Sequence, residues 1–415
     1  MATAPIASLA PSSVAAAQTV SPEARRALVG SAVGYAMDGF DLLILGFMLR
    51  AISAELGLTP PQAASLVTAT LIGAVCGGVL FGMLADRLGR VRVLAWTILL
   101  FAVFTGLCAF AQGYWDLLVY RTIAGIGLGG EFGIGMALVA EAWPAKQRAR
   151  ACSYVALGWQ AGVLCAALVT PLLLPSIGWR GMFIVGLIPG VVAFAVRWYV
   201  GEPKIFLEKA KRARSMAPLR MLVKDTATTK VSLGMLILCS VQNFGYYGVM
   251  IWLPSYLSTR FGFSLTQSAM WTAVTIGGMA LGIWVFGVFA DKVGRRPALL
   301  TFQAGAFIMV LVYSQLTDAN ALLIGGAVMG LFVNGMLGGY GALLSELYPT
   351  EARATAENVL FNLGRGVGGF GPFVVGALAV SYSFTVAIAL LATIYLLDIV
   401  ATLFLIPERK GQELT

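Results

Sequence analysis

The 415-residue chain contains no histidine, which excludes a His-ligated metal site and a His-based catalytic triad. Cysteine is nearly as scarce. Cys76, Cys108, Cys152, Cys165 and Cys239 form no CxxC pair and most lie in apolar stretches, so they read as small buried hydrophobes rather than disulfides or redox centres. No GxxxxGK[ST] phosphate loop occurs, so the chain carries no recognisable ATP-driven motor. Charged residues make up only 11% of the chain, against about 25% in soluble domains, which rules out an ordinary soluble fold. No nucleophile beside a base, metal cluster or cofactor motif is visible, so neither an enzyme nor a bound cofactor is expected.

What is abundant is apolar sequence: 59% of residues are hydrophobic and the mean hydropathy is +0.86. About 20 apolar residues at 1.5 Å each cross the hydrocarbon of a bilayer. Hydropathy and polar breaks give spans near 27–49, 64–85, 92–111, 115–141, 151–174, 179–200, 231–257, 267–290, 297–315, 320–346, 353–379 and 383–406. The expected fold class is therefore all-α integral membrane, with twelve transmembrane helices. Residues 1–26, rich in Ala, Ser, Pro and Thr and uncharged before Glu23, lack the basic start of a signal peptide and suit a disordered cytoplasmic tail. With that tail inside, the outer side holds only Arg50, Arg180 and Arg260 among the basic residues, while Arg121 and Arg365 fall within spans. The expected setting is thus a cytoplasmic (inner) membrane with both termini cytoplasmic. Topology then accounts for the net charge of +9, so no nucleic-acid partner is implied, although the basic run from Lys204 to Lys230 suits anionic lipid.

That run is the longest connection, and an internal repeat divides the chain at the same place. Gly82-Met83-Leu84-Ala85-Asp86-Arg87-Leu88-Gly89-Arg90 recurs 205 residues later as Gly287-Val288-Phe289-Ala290-Asp291-Lys292-Val293-Gly294-Arg295. Glu141-Ala142-Trp143-Pro144, followed by Arg148, recurs at the same offset as Glu346-Leu347-Tyr348-Pro349, followed by Arg353. The expectation is a six-helix bundle over 27–200, a basic linker over 201–230, a second bundle over 231–406 and a tail over 407–415, the bundles being parallel repeats.

The stretch Gly82 to Arg92 resembles the signature loop between the second and third helices of the major facilitator superfamily, and Arg121 with Gly125 and Gly127 resembles its RxxxGxG motif. The resemblance covers nearly the whole chain. Asp38-Gly39-Phe40-Asp41 is similar to the first-helix motif of aromatic acid:proton symporters, while Gly129-Gly130-Glu131 and Asn362-Leu363-Gly364-Arg365-Gly366 look closer to sialate and lactate:proton symporters. The shared implication is a carboxylate-bearing substrate. The fifth span, Gly158-Trp159-Gln160-Ala161-Gly162, lacks the Gly-Pro signature of drug:proton antiporters, which counts against an exporter of amphipathic compounds.

Ionisable residues inside a span cost about 2.5–3.5 kcal/mol each on insertion scales, so each requires a partner, water or a function. Asp38 and Asp41 share one helical face at i, i+3 and couple electrostatically; with Glu131, which sits among glycines that leave room for a cavity, they are the proton-coupling candidates. Arg365, near the centre of the eleventh span, is the leading anchor for a substrate carboxylate, with a fixed pair to Asp41 or Glu131 as the alternative. Arg121 joins it as a candidate. At the 205 offset Asp38 maps onto Asn243, Asp41 onto Tyr246 and Gln160 onto Arg365, which extends the candidate lining to Tyr35, Trp159, Gln160, Asn243, Tyr246, Tyr247, Asn334, Asn358 and Asn362. Asp398, in the peripheral twelfth span, is given no role.

At the cytoplasmic helix ends Asp86, Glu141, Asp291 and Glu346 lie near Arg90, Arg148, Arg295 and Arg353, as expected of a gate whose ion pairs close one conformation and break in the other. Together these features indicate a monomeric, proton-driven importer of a small organic anion, working by alternating access. The competing classes are a proton-coupled exporter and a membrane receptor without flux.

Overall fold

A computed structural model describes residues 20–197, 201–210 and 218–414. The first bundle contains α1 (Pro22–Leu56), α2 (Pro60–Leu88), α3 (Arg90–Leu107), α4 (Tyr114–Ala142) and α5 (Arg148–Arg197). Two short helices follow, α6 (Lys204–Ala210) and α7 (Pro218–Met221). The second bundle contains α8 (Thr226–Phe261), α9 (Leu265–Val293), α10 (Arg295–Gln315), α11 (Ala319–Gly335), α12 (Leu337–Leu347), α13 (Arg353–Gly368), α14 (Gly371–Ser381), α15 (Phe384–Leu391) and α16 (Ile394–Leu405). No strand occurs among the described residues.

In hydrocarbon each backbone polar group must be satisfied within the protein, which is why these apolar runs are helical. Among the described residues ten helical stretches are long and apolar enough to cross a membrane, two of them each made of a pair of consecutive helices. The remaining two of the twelve crossings arise from breaks. Gly178 (φ 65°, ψ 179°) divides α5 into the fifth and sixth crossings, and α13 with α14 forms the eleventh, neither piece being long enough to cross alone. The tenth crossing is likewise α11 with α12, and the twelfth α15 with α16.

Several boundaries differ from the sequence expectation. Residues 1–19 of the expected tail lie outside the described residues, and 22–26 belong to α1, because Ser21 caps it by accepting the Ala24 N–H at 3.1 Å and Pro22 opens the first turn. The expected linker is partly helical in α6 and α7, and α8 starts at Thr226 rather than 231. The repeat is deeper than its charged motifs. A capping box at Thr59/Gln62 opens α2 and another at Ser264/Gln267 opens α9. A Cβ on Gly73 or Gly77 of α2 would meet the Thr122 or Ile126 carbonyl of α4 at 2.2 or 1.9 Å; on Gly278 or Gly282 of α9 it would meet the Ala327 or Leu331 carbonyl of α11 at 2.0 or 2.1 Å. All these positions repeat at 205. Backbone-to-backbone packing of this closeness is the use of small residues in membrane bundles.

The bundles meet along a seam where α13 packs on α2 and α4, and α5 packs on α9 and α12. Large apolar side chains such as Leu172, Phe373 and Phe404 are 75–79% exposed on the outside of the bundle, where lipid rather than water is the solvent.

Candidate functional site

A narrow cavity of about 10 Å³, measured as room for the centres of water-sized spheres, lies on the seam. The first bundle supplies Tyr35 from α1 and Trp159 from α5; α8 supplies Gln242, Asn243, Tyr246 and Tyr247; Asn334, Leu337, Phe361 and Arg365 complete the lining from α11 to α13. Arg365 is 3% exposed, with its guanidinium carbon 5.4 Å from the Trp159 ring centre and 5.1 Å from that of Phe361. Phe361 in turn stacks on Phe132 at 3.7 Å, which fixes this aromatic wall. Tyr35 presents its hydroxyl to Arg365. No carboxylate lies within ion-pair distance of Arg365 among the described residues, and its Nε has no hydrogen-bond partner.

The amides around it are half committed. Gln242 Nε2 donates to Asn334 Oδ1 at 2.6 Å, leaving Gln242 Oε1 and Asn334 Nδ2 without partners. Asn243 Nδ2 donates back to the Cys239 carbonyl at 2.8 Å, and Trp159 Nε1 reaches the Tyr246 hydroxyl across the seam at 3.4 Å. A fixed cation flanked by aromatic faces and spare amide groups is suited to a planar or compact carboxylate.

Other expected site residues lie elsewhere. Arg121 of α4 grips Asp41 of α1 through two bonds, Nη1 to Oδ1 at 3.1 Å and Nη2 to Oδ2 at 2.7 Å. Thr105 donates to Asp41 at 3.3 Å and Arg121 Nε donates to Thr70 at 3.3 Å. Both charges are buried inside the first bundle beside Ile44, Leu45 and Phe183, so neither lines the cavity and the pair Asp41–Arg365 does not form. Asp38, one turn away, is fully buried and lies close to Tyr35, nearer the cavity than Asp41. Glu131 is also buried, but its neighbouring glycines leave no lining there: Gly129 packs on the Ala74 carbonyl and Gly133 on Asn358.

Gln160 is buried with both amide atoms unpartnered, and it does not line the cavity. The reason is a one-residue slip. Gly158 and Gly162 pack closely on α1, and Gly364 and Gly368, at an offset of 206, pack closely on α8, which makes Trp159 rather than Gln160 the counterpart of Arg365. Asn358 and Asn362 form the seam itself: Asn358 Oδ1 accepts the Gly133 N–H at 2.9 Å, and Asn362 Nδ2 donates to the Gly129 carbonyl at 2.9 Å.

At the end of the bundle bearing the repeated loops, all eight expected charges meet. Arg90 bonds Asp86 at 3.1 Å and Glu141 at 3.1 Å, and Glu141 reaches across the seam to Arg353 at 2.6 Å. In the other half Arg295 bonds Asp291 at 3.0 Å and Glu346 at 2.8 Å, and Glu346 reaches back to Arg148 at 3.1 Å. Asp86 also accepts the Ala354 and Thr355 N–H groups at the start of α13, and Asp291 accepts those of Ala149 and Arg150 at the start of α5. Each acid thus caps a helix of the opposite bundle, where the helix dipole favours negative charge.

Sequence reasoning missed three kinds of residue here. Gln242 and Phe361 line the cavity; the adjacent amides Gln242-Asn243 inside an apolar span were the available signal. Glu202 accepts the N–H groups of Arg90, Val91 and Arg92, and Glu408 those of Arg295 and Arg296, a repeat hidden by its offset of 206. Burial raises the Glu202 carboxyl above its ordinary pKa, against those amides, which lower it. Glu357 is fully buried in α13, a charge within an expected span that was left unexamined.

Two pseudo-symmetric helical lobes around a central polar chamber, sealed at one end by mirrored ion pairs, define a multi-pass membrane transporter rather than an enzyme. The chain belongs to the Major Facilitator Superfamily, whose pattern matches residues 31–313 and 261–415. A metabolite transport protein of Haemophilus influenzae is 67% identical over 94% of this chain and 97% of its own length. A protein of Cupriavidus pinatubonensis named for 4-methylmuconolactone transport is 32% identical over 94% and 92%, and a sialic acid transporter of Escherichia coli 29% identical over 83% and 85%. Among solved structures, a proton:xylose symporter bound to 6-bromo-6-deoxy-D-glucose superposes with a TM-score of 0.80 at 19% identity, covering 95% of this chain and 98% of that one, which establishes the shared fold.

Proposed function

We propose that the protein is a proton-coupled symporter that imports a small organic carboxylate across a cytoplasmic membrane, both termini facing the cytoplasm. The observation that carries this reading is Arg365: a permanent cation, buried between two aromatic rings in a seam cavity and with no carboxylate in ion-pair reach among the described residues. An unpaired buried charge is costly, and a substrate carboxylate supplies the missing partner through two parallel hydrogen bonds. The sialic acid in the name of one relative supports the same class. The narrow, aromatic walls of Tyr35, Trp159, Tyr246 and Phe361 favour a flat acid over a bulky sugar acid.

Protons are carried by Asp41, with Asp38 and Glu131 as further buried acids. Protonation of Asp41 removes its hold on Arg121, loosening α1 against α4, and the pH gradient supplies the driving force. The mirrored ion pairs are the cytoplasmic gate, shut in this conformation; substrate enters from the opposite side, and the gate parts as the lobes rock. The protein acts as a monomer and needs no cofactor.

The test is uptake of benzoate-type acids into proteoliposomes with and without an imposed pH gradient. Gradient-driven accumulation is expected, and uptake indifferent to the gradient overturns the coupling. Arg365→Ala should raise the apparent KM for the acid by about 10- to 100-fold, the loss of one charge-assisted contact, with Arg365→Lys intermediate. Unchanged affinity removes Arg365 from the site.

A further inference from the structure

The two halves of the gate are not equal. In one, Asp291 and Glu346 face Arg148 and Arg295, two acids to two arginines. In the other, Asp86 and Glu141 face Arg90 and Arg353, and a third acid, Glu357, lies one turn along α13 from Arg353. The repeat position of Glu357 in the first bundle is Cys152, 205 residues earlier, and Glu357 is the strongest charged neighbour of that thiol. The extra acid therefore lies within electrostatic reach of the start of α5 as well as of Arg353, Glu141 and Asp86.

Its surroundings are specific. Glu357 is fully buried, and Ser345 of α12 donates to its Oε1. Its Oε2 is buried with no hydrogen-bond partner. The charged groups acting on it most strongly are Arg353 on its own helix, Glu141 from α4 and Asp86 from α2. From α5 the Cys152 thiol is close enough to feel its charge, and α8, also packed on α13, presents Cys239 two turns further along beside Gly364. Arg353 is already committed to Glu141 at 2.6 Å, to the Ser345 carbonyl at 3.0 Å and to Thr350 at 3.0 Å. Arg90 is shared by Asp86, Glu141 and the Thr350 carbonyl. The arginines of this half are thus engaged by the other two acids, and a third ionised carboxylate is offset only by Arg353, one turn away and already bonded to Glu141.

We propose that Glu357 is a proton-binding site of the gate: it holds a proton while the gate is closed and gives it up when the lobes part and water reaches it. A neutral Glu357 makes this half electrically equal to its mirror half, so the closed state is stabilised by one bound proton. An ionised Glu357 beside Glu141 and Asp86 favours parting. The inference deepens the proton-coupled reading and rests on it for the direction of release, towards the cytoplasm.

Hydrogen–deuterium exchange of the full chain in lipid nanodiscs tests it, with rates corrected for intrinsic amide chemistry. Between about pH 5.5 and about pH 8, a range spanning the titration of a buried carboxyl, exchange across 349–360 and 145–155 should accelerate in the wild type. One linked proton sets the ceiling at about tenfold per pH unit. Glu357→Gln, a permanently neutral isostere, should hold the slow, low-pH behaviour throughout. Glu357→Cys, which installs the residue of the mirror half, should do the same and serves if the glutamine variant folds poorly. A wild type without this pH dependence, or variants that retain it, overturns the proposal. Flux indifferent to a pH gradient would instead sink the symport reading and leave the exchange result standing.

Discussion

Asp41 shows why a single side chain cannot be assigned from its own position. Its pairing with Arg121 spans 80 residues of sequence, so spacing arguments on either helix miss it. Removing one member of a buried pair strands the other, at a typical cost of about 3–5 kcal/mol. Asp41→Asn is therefore expected to lose gradient-driven uptake and also to melt at lower temperature. The neutral pair Asp41→Asn with Arg121→Gln should recover much of the melting temperature while uphill uptake stays absent. Recovery of uphill uptake in that double variant would show that Asp41 carries no proton. Arg365 was legible for the opposite reason. A guanidinium deep in an apolar span announces itself by its cost, and it lies where, among the described residues, no carboxylate offsets that charge.

For helices, hydropathy marked the positions of all twelve crossings but not their interruptions, because the break at Gly178 changes backbone angles, and those at Met336 and between Gly368 and Gly371 interrupt the helix, without changing polarity. Likewise a fixed offset of 205 described most of the repeat, yet it turned Gln160 towards the cavity when the packing glycines place Trp159 there; one residue of slip is about 100° around a helix. Glycine roles are equally invisible in sequence. Gly277 and Gly278 are neighbours in α9, but a Cβ on Gly277 meets nothing within 4 Å whereas one on Gly278 would lie 2.0 Å from the Ala327 carbonyl. Gly278→Ala should destabilise by about 1–3 kcal/mol through overpacking, whereas Gly277→Ala should be neutral or gain up to about 1 kcal/mol of helix propensity. Thermal melts in detergent distinguish the two. Equal effects would contradict the α9–α11 packing.

Across the whole molecule, the charged motifs were legible as a duplicated set because duplication is a property of sequence, while the exchange of partners between bundles is a property of assembly alone. Glu141 and Glu346 each bond an arginine of their own bundle and one of the other, so they join the lobes rather than stiffen either. Arg353→Ala is expected to shift the population towards a gate-open form. Spin labels at the exposed positions Lys146 and Lys292 should then report a longer separation than in the wild type. An unchanged distance distribution would mean these pairs do not hold the lobes together.

Because the seal is built twice around a near-twofold axis, a lesion in one copy leaves the other still barring the passage. Slippage of solute or protons through a singly damaged protein should therefore remain small, and should grow far more than additively once both copies are lost. Such redundancy lets the barrier tolerate a chance mutation in either copy.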